Sequence, residues 1–337
     1  MLQNPTTIRK REQTTKMITL KEIARELLKY DSVLIFSHAR PDGDTLGSAM
    51  AVKTALLNAG KKAEVVCASD IPAKYEFFPS FKSIKKPHEI TEKFAAHLSV
   101  DISVESMFGD GYDLYIKNKN LFNIDHHVSN SRYAKFNYVK NEAACCEIIY
   151  DFIKELGAEI TSEIADYLLL GIITDTGNFA HSNVSENTLL VASKLVSSGA
   201  RLHEISYQMF KNQSKERAVL FGRVTSKMKF FLDDKLAVIS VLDDDFKSTG
   251  ASSDMTEGFI DFPLSISGVE VAVSIMQSKP NAFKISLRSK GKVDVNEVAS
   301  IFGGGGHVLA SGCMICGFYE DVKDKIIKAV SDALSGL

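Results

Sequence analysis

The chain has 337 residues, 45% of them hydrophobic, which is enough apolar material to bury a sizeable core in two domains and excludes a disordered ribbon. Lys and Arg number 40 against 42 Asp and Glu, a formal charge of −2, so the net field cannot hold long nucleic acid and a polyanion has to be captured locally. No apolar run reaches bilayer-spanning length, and residues 1–16 (MLQNPTTIRKREQTTK) are basic without an apolar stretch behind them, which reads as a loose tail on a cytoplasmic protein with no membrane partner.

The hydrophobic pattern begins at Ile18. Residues 32–37 (SVLIFS) form a short β-branched run, followed by a turn and by the helical pattern TLGSAMAVKTALLNAG, closed at Gly60. His38, Asp42 and Asp44 sit between them in SHARPDGDTLGS, at a strand's carboxyl end, where open α/β sheets bind ligands. Pro41 and Gly43 suit a tight turn that brings the two carboxylates round to converge. The same residues also suit a plain capped helix, with Asp44 or Thr45 as the cap and His38 as a partly buried strand end.

Further strands are expected at 63–68, around 98–102 and at 121–124, and helices at 143–156 and 162–173. Asp101 closes the run LSVDIS, although any surface strand can carry one aspartate. Asp125, His126 and His127 follow LFNI. Two adjacent histidines beside an acid are hard to explain by packing: one imidazole can bind a metal while an acid orients a ring, and the neighbour can meet a substrate. A solvated polar loop is the plain alternative. Asp175, in GIITDTGNF, ends the apolar run ADYLLLGII, where a carboxylate is costly unless capped, hydrogen-bonded or coordinated.

After the helical pattern SENTLLVASKLVSSGA, the charge-rich stretch 201–231 reads as helices joining two bodies. Strand patterns at 236–242, 269–276 and 283–287 then precede a glycine run and the amphipathic helix DVKDKIIKAVSDALSGL. The fold class is α/β: an N-terminal mainly parallel sheet flanked by helices, a helical linker and a smaller C-terminal α/β domain. Gly304, Gly305 and Gly306 permit backbone N–H groups to approach a phosphate, with His307 and Arg288 supplying charge, or else form a flexible turn. Cys67, Cys145, Cys146, Cys313 and Cys316 lie in apolar stretches and read as reduced core residues; the single CxxC lacks a second ligand pair.

His38, Asp42, Asp44, Asp101, His126 and Asp175 thus make four acids and two histidines on separate element ends. Hard oxygen ligands mixed with imidazole suit Mn²⁺, Fe²⁺ or Mg²⁺, and six ligands are too many for one ion that must leave room for substrate. Two divalent ions about 3.5 to 4 Å apart would share them.

HARPDGD, the aspartate of SVDIS, the triplet DHH and TDTGNF stand in the order found in the DHH phosphoesterase superfamily. SLRSKGKVDVNEVASIFGGGGHVLASG resembles the DHH-associated domain with its GGGH motif, so the likeness covers nearly all of the chain after residue 17. It is similar to the stand-alone two-domain type that cleaves very short RNA and removes a phosphate from 3′-phosphoadenosine 5′-phosphate. That resemblance implies a tail at 1–16, a catalytic domain at 17–212, a linker at 213–234 and a substrate-binding domain at 235–337. It places His38, Asp42 and Asp101 on one ion, and Asp44, Asp101, His126 and Asp175 on the other, with Mn²⁺ expected ahead of Mg²⁺ or Fe²⁺. Asp125 would support the site from behind, His127 would contact the scissile phosphate, and Arg288 with Gly304, Gly305, Gly306 and His307 would grip the far end of a short substrate in a cleft between the domains. The strand before Asp101 is less apolar than is usual, and Ala180 and His181 stand where an arginine often follows TDTGxF.

Short RNA, dinucleotides and 3′-phosphoadenosine 5′-phosphate are the expected substrates, with a homodimer compatible. A phosphodiesterase for pApA or cyclic di-AMP is the near alternative. A RecJ-like single-strand exonuclease, with Lys215, Arg217, Arg223, Lys227 and Lys229 along a strand path, and a catalytically inactive nucleotide sensor complete the readings.

Overall fold

The computed structural model describes residues 15–335, which divide into two compact units meeting in sequence between Asn212 and Gln213. In the first, β1 (Lys16–Met17), α1 (Leu20–Leu27), β2 (Ser32–Phe36), α2 (Gly43–Asn58), β3 (Lys62–Val66), β4 (Ala96–Val100), α3 (Tyr112–Tyr115), β5 (Leu121–Asp125), β6 (Phe136–Val139), α4 (Cys145–Glu155), α5 (Ser162–Asp175), α6 (Glu186–Ser197) and α7 (Leu202–Phe210) follow one another. Of the expected tail, residues 1–14 lie outside the described residues, and Lys16 with Met17 extends the sheet beside β6.

Among the described residues the sheet runs β1-β6-β5-β4-β2-β3, with every pairing parallel. Parallel strands are buried on both faces, and their sequences are accordingly apolar without alternation. On one face Val33, Ile35, Leu98 and Ile124 pack under α2, α4 and α5; on the other Leu34, Phe36 and Leu121 pack with Phe108 and Tyr115, which lie in 3₁₀ turns and the short α3. Each buried Leu or Ile contributes roughly 1.5–3 kcal/mol of transfer free energy. α2 and α5 touch through glycines: a Cβ on Gly47 would sit 2.2 Å from the Tyr167 carbonyl oxygen, and one on Gly171 2.6 Å from Asp44 Oδ1. The chain turns back on itself at β2, which has β3 on one side and β4 on the other. This switch of direction leaves a crevice beyond the carboxyl ends of β2 and β4.

The second unit contains α8 (Lys215–Ser226), β7 (Lys229–Phe231), β8 (Leu236–Val241), α9 (Asp243–Thr249), α10 (Asp261–Ser265), β9 (Val271–Lys279), β10 (Ala282–Ser289), α11 (Val295–Ser300), β11 (Gly305–His307), β12 (Ala310–Cys316) and α12 (Tyr319–Ser335). Its sheet order is β11-β12-β10-β9-β8-β7, parallel only between β8 and β9. Leu236, Val238, Val273, Ile285 and Leu287 face α11 and α12 in one core. The stretch 213–234, expected to be a linker, carries α8, whose Leu220 and Val224 pack on Ile239, Val241 and Phe259 of the second unit. Two apolar positions four residues apart in a charged sequence make a stripe too narrow to stand out from a solvated helix.

Cys313 and Cys316 are three apart on β12, so they project from opposite faces; Cys313 is buried and Cys316 exposed, and among the described residues no cysteine is in a disulfide. Among the described residues no helix is long and apolar enough to cross a membrane.

Candidate metal centre

β2 and β4 end side by side, and the turns after them supply the first ligands. Asp42 caps α2: its Oδ1 accepts from the backbone N–H groups of Asp44 (3.1 Å) and Thr45 (3.0 Å), leaving Oδ2 to face His38 Nε2 at 3.4 Å. Thr45 ties the two strand ends together, accepting from His38 N and donating to the Val100 carbonyl, each at 3.3 Å. Asp101 follows β4 with φ 57°, a left-handed conformation in which an Asp is tolerated and which directs its carboxylate into the crevice. Its Oδ2 lies 3.6 Å from His38 Nε2 and its Oδ1 3.4 Å from His126 Nε2, so one carboxylate addresses both histidines.

Asp44 is fully buried in the first turn of α2, and both its oxygens accept backbone N–H groups at the start of α4, from Cys145 (2.5 Å) and Cys146 (2.8 Å). α4 has Ala144 at its N-cap and no side-chain cap of its own, so Asp44 satisfies orphan donors from another helix. His126 Nδ1 is fixed by the Glu142 carbonyl at 3.0 Å, which turns Nε2 inward, 3.7 Å from Asp175 Oδ2 and 3.9 Å from Asp44 Oδ2. Asp175 closes α5, where Asn183 and His181 hold its carbonyl oxygen; the His181 ring packs against Gly177, whose φ of 55° admits the turn.

His38, Asp42 and Asp101 form one trio and Asp44, His126 and Asp175 another, with candidate ligand atoms within 4.8 Å in each. A third trio joins His127 to Asp101 and His126, but His127 Nδ1 already donates to Asp125 Oδ1 at 2.8 Å, so its Nε2 is the atom left for a substrate. Asp125 is fully buried and also accepts from His126 N (2.9 Å) and from Asn130 Nδ2 (2.6 Å).

The electrostatics match a cluster that lacks its counter-charge. Burial and then the charge of Asp101 push the Asp44 carboxyl up to about 7. Burial, then Asp44 and Asp101, push Asp175 up to about 10. Burial opposes charge on His38 and His126, yet the attraction of the Asp101 carboxylate, 3.4–3.6 Å away, outweighs it and raises them to about 10 and about 11. Asp101 Oδ1 is buried with no hydrogen-bond partner among the described residues. An orphaned buried carboxylate oxygen between two histidines and three other acids is what a bridging metal ligand looks like without its ions, and the donor set fits divalent cations.

In the second unit, Arg288 on β10 stands opposite Ala310 on β12, and Ala310 opposite His307 on β11. Directly opposed residues project to the same face, so only the Ala310 methyl lies between Arg288 and His307 in that row. The next row is Ser286, Gly312 and Gly305, which leaves the backbone open. The glycines act differently from the expected N–H cradle. The N–H of Gly304 is taken by the Ala299 carbonyl (3.0 Å) and that of Gly306 by Asn296 Oδ1 (2.9 Å). Their contribution is room: a Cβ on Gly304 would meet the Gly312 carbonyl oxygen at 2.2 Å, and one on Gly306 the Ala310 carbonyl oxygen at 2.6 Å. Of the basic run, Arg217 donates to the Glu257 carbonyl (2.8 Å) and Arg223 to Asp245 (2.6 Å), so both fold the unit.

Sequence reasoning did not find Thr45, Asn130, Glu142 or the amides of Cys145 and Cys146. The one available signal was the helix at 145, which begins without Ser, Thr, Asp or Asn at its cap and therefore needs an outside acceptor.

Known proteins resemble the chain over most of its length. Residues 32–172 match the model of the DHH family, N-terminal domain, and residues 233–336 that of the DHHA1 domain. The chain is 31% identical over 307 residues to the bifunctional oligoribonuclease and PAP phosphatase NrnA of Thermus thermophilus, covering 90% of each chain. It is 25% identical to the protein of the same name from Bacillus subtilis, over 91% of this chain and 96% of that one. The crystal structure of an exopolyphosphatase-related protein from Bacteroides fragilis superposes with a TM-score of 0.85 at 26% identity, covering 94% of this chain and 95% of that one.

Proposed function

The chain belongs to the DHH family of metal-dependent phosphoesterases, and from that premise we propose that it hydrolyses very short oligoribonucleotides to 5′-mononucleotides and 3′-phosphoadenosine 5′-phosphate to AMP. The observation that carries the reading is the convergence of His38, Asp42, Asp44, Asp101, His126 and Asp175 around a buried Asp101 oxygen that has no hydrogen-bond partner among the described residues. His38, Asp42 and Asp101 would hold one divalent ion, and Asp44, Asp101, His126 and Asp175 the second, with Mn²⁺ the expected metal. Such ions polarise phosphoryl oxygens and lower the pKa of a water to make a nucleophile near neutral pH.

The remaining work belongs to the chain. Asp125 holds His127 by Nδ1 and raises its pKa, so in the imidazolium form the free Nε2–H would donate to a non-bridging phosphate oxygen and stabilise charge developing there. Arg288 and His307, on one face of the second sheet, would bind a distant phosphate or sugar, which favours substrates of a few nucleotides. A homodimer is compatible with this reading.

The relatives' names support both activities, and a panel measures them in this chain: RNA of two to ten units, pApA, cyclic di-AMP and 3′-phosphoadenosine 5′-phosphate, each incubated with Mn²⁺ and resolved by product. The expected outcome is release of 5′-mononucleotides with kcat/KM falling as length grows, and AMP from the bisphosphate. Dimers left intact across a panel of metals would sink the proposal, and a strong preference for pApA over unrelated dimers would reassign the substrate.

A further inference from the structure

A cavity of about 240 Å³ lies within the second unit, on the face of the sheet turned away from Arg288 and His307. Strand register fixes that placement. Lys229 and Phe231 of β7 pair with Val238 and Leu236 of β8, and those two β8 residues belong to the core shared with α12. The Arg288 row continues through Ala272 to Ala237, which alternates with Leu236 and Val238 and so projects from the other face. Tyr319 and Lys323, one turn apart on α12, close the cavity against Ser240 and Leu242.

Its lining is cationic. Lys227, Lys229 and Lys323 border it against a single lining carboxylate, Asp245. That carboxylate is buried and already engaged, by Lys227 at 2.5 Å and by Arg223 at 2.6 Å. Lys323 has a side chain only 12% exposed, with the exposed Glu320 of its own helix as partner. The Lys229 side chain makes no ion pair or hydrogen bond among the described residues. At the floor Ser240 Oγ and Tyr319 OH are 2.7 Å apart; one donates to the other, and the second hydroxyl proton remains for a ligand. Phe231 and Val238 supply an apolar wall.

The unpaired Lys229 ammonium, the nearly buried Lys323 whose carboxylate partner is exposed, a spare hydroxyl donor and an apolar wall suit a phosphate monoester whose organic part lies against Phe231. The volume falls below the ~300 Å³ at which sites for drug-sized ligands begin, which favours a mononucleotide or sugar phosphate over an oligonucleotide. We propose that this cavity is a second phosphoester-binding site, for a nucleoside monophosphate or a pentose phosphate, separate from the Arg288–His307 face. A nucleotide there would let the enzyme sense the product of its own reaction.

Isothermal titration of the full chain in EDTA, where the metal centre cannot hold phosphate and no turnover occurs, tests this independently of the substrate assignment. The R288A chain, the R288A/K229E chain and the R288A/K229E/K323E chain are titrated with 5′-AMP, ribose 5-phosphate and adenosine. Lys229 is exposed, so K229E keeps the fold even if the triple variant does not. The expected result is binding of both phosphates to R288A, at least tenfold weaker binding to R288A/K229E, and none of adenosine to either. Equal binding of the two phosphates assigns the site to the phosphoribosyl group, and a preference for AMP assigns it to nucleotides. Phosphate binding unchanged by K229E, or absent from R288A, overturns the proposal.

Discussion

The two candidate sites are built on opposite principles. In the first unit four of the centre's side chains have a second holder: Asp42 caps its own helix, Asp44 caps α4, a carbonyl fixes His126 and Asp125 fixes His127. In the second unit the face around Arg288 and His307 is made by leaving side chains out, at Ala310, Gly312 and Gly305. The first arrangement gathers acids and histidines that shift one another's protonation; the second sets the charge of Arg288 beside backbone left open by small residues. Losses at the first should therefore fall on turnover, and losses at the second on substrate affinity.

The largest expected effect is that of Asp101→Asn, which keeps the shape and removes the charge shared by both trios. Turnover on a dinucleotide should fall by on the order of a thousandfold or more. Ordinary turnover in this variant would break the comparison.

Next comes Asn130→Ala, which frees Asp125 Oδ2 and loosens His127 without touching a proposed ligand. Steady-state kinetics should show kcat reduced roughly 10- to 100-fold, as for other outer supports of a metal site, with metal content intact. Smaller again is Gly306→Ala: φ is 152° and the added methyl meets the Ala310 carbonyl oxygen, so β11 must shift and carry His307 with it. KM for a dinucleotide should rise by about tenfold, equivalent to ~1.4 kcal/mol, while kcat changes little. A fall in kcat with KM unchanged would put the second face in the chemistry itself.

Much of the first unit was legible from its sequence because the features there are local. Strand β2, helix α2 and the ligands between them occupy one continuous segment, and a buried parallel strand followed by an acid-bearing turn has few other readings. Asp101 was less legible, since its distinction is a left-handed φ and an unpaired oxygen, neither visible in LSVDIS. The partners that hold the ligands were invisible for the same reason: Cys145 and Cys146 reach Asp44 through backbone amides that carry no residue signature. In the second unit, strands β7, β11 and β12 went unpredicted; β7 and β11 are short edge strands, and the glycines of β11 and β12 read as turn. The roles of Gly304 and Gly306 differ from expectation because spare amides and missing Cβ atoms look alike in a sequence.

A subtler consequence of the first site's charge is proton release. Without metal, His38 at about 10, His126 at about 11 and Asp175 at about 10 are protonated at neutral pH. Ligands must be deprotonated, so Mn²⁺ binding should expel protons and its apparent affinity should rise with pH. Calorimetry in buffers of different ionisation enthalpy reads the number released, and a value of zero at pH 7 would contradict these raised pKa values.

The most direct test of the account is a count of ions against turnover. Equilibrium dialysis with elemental analysis on the parent chain, stepped through Mn²⁺ concentration while dinucleotide hydrolysis is followed, should give two Mn²⁺ per chain, with activity appearing as the second binds. Full activity with one ion, or with none, would contradict a centre built around Asp101 as the shared ligand.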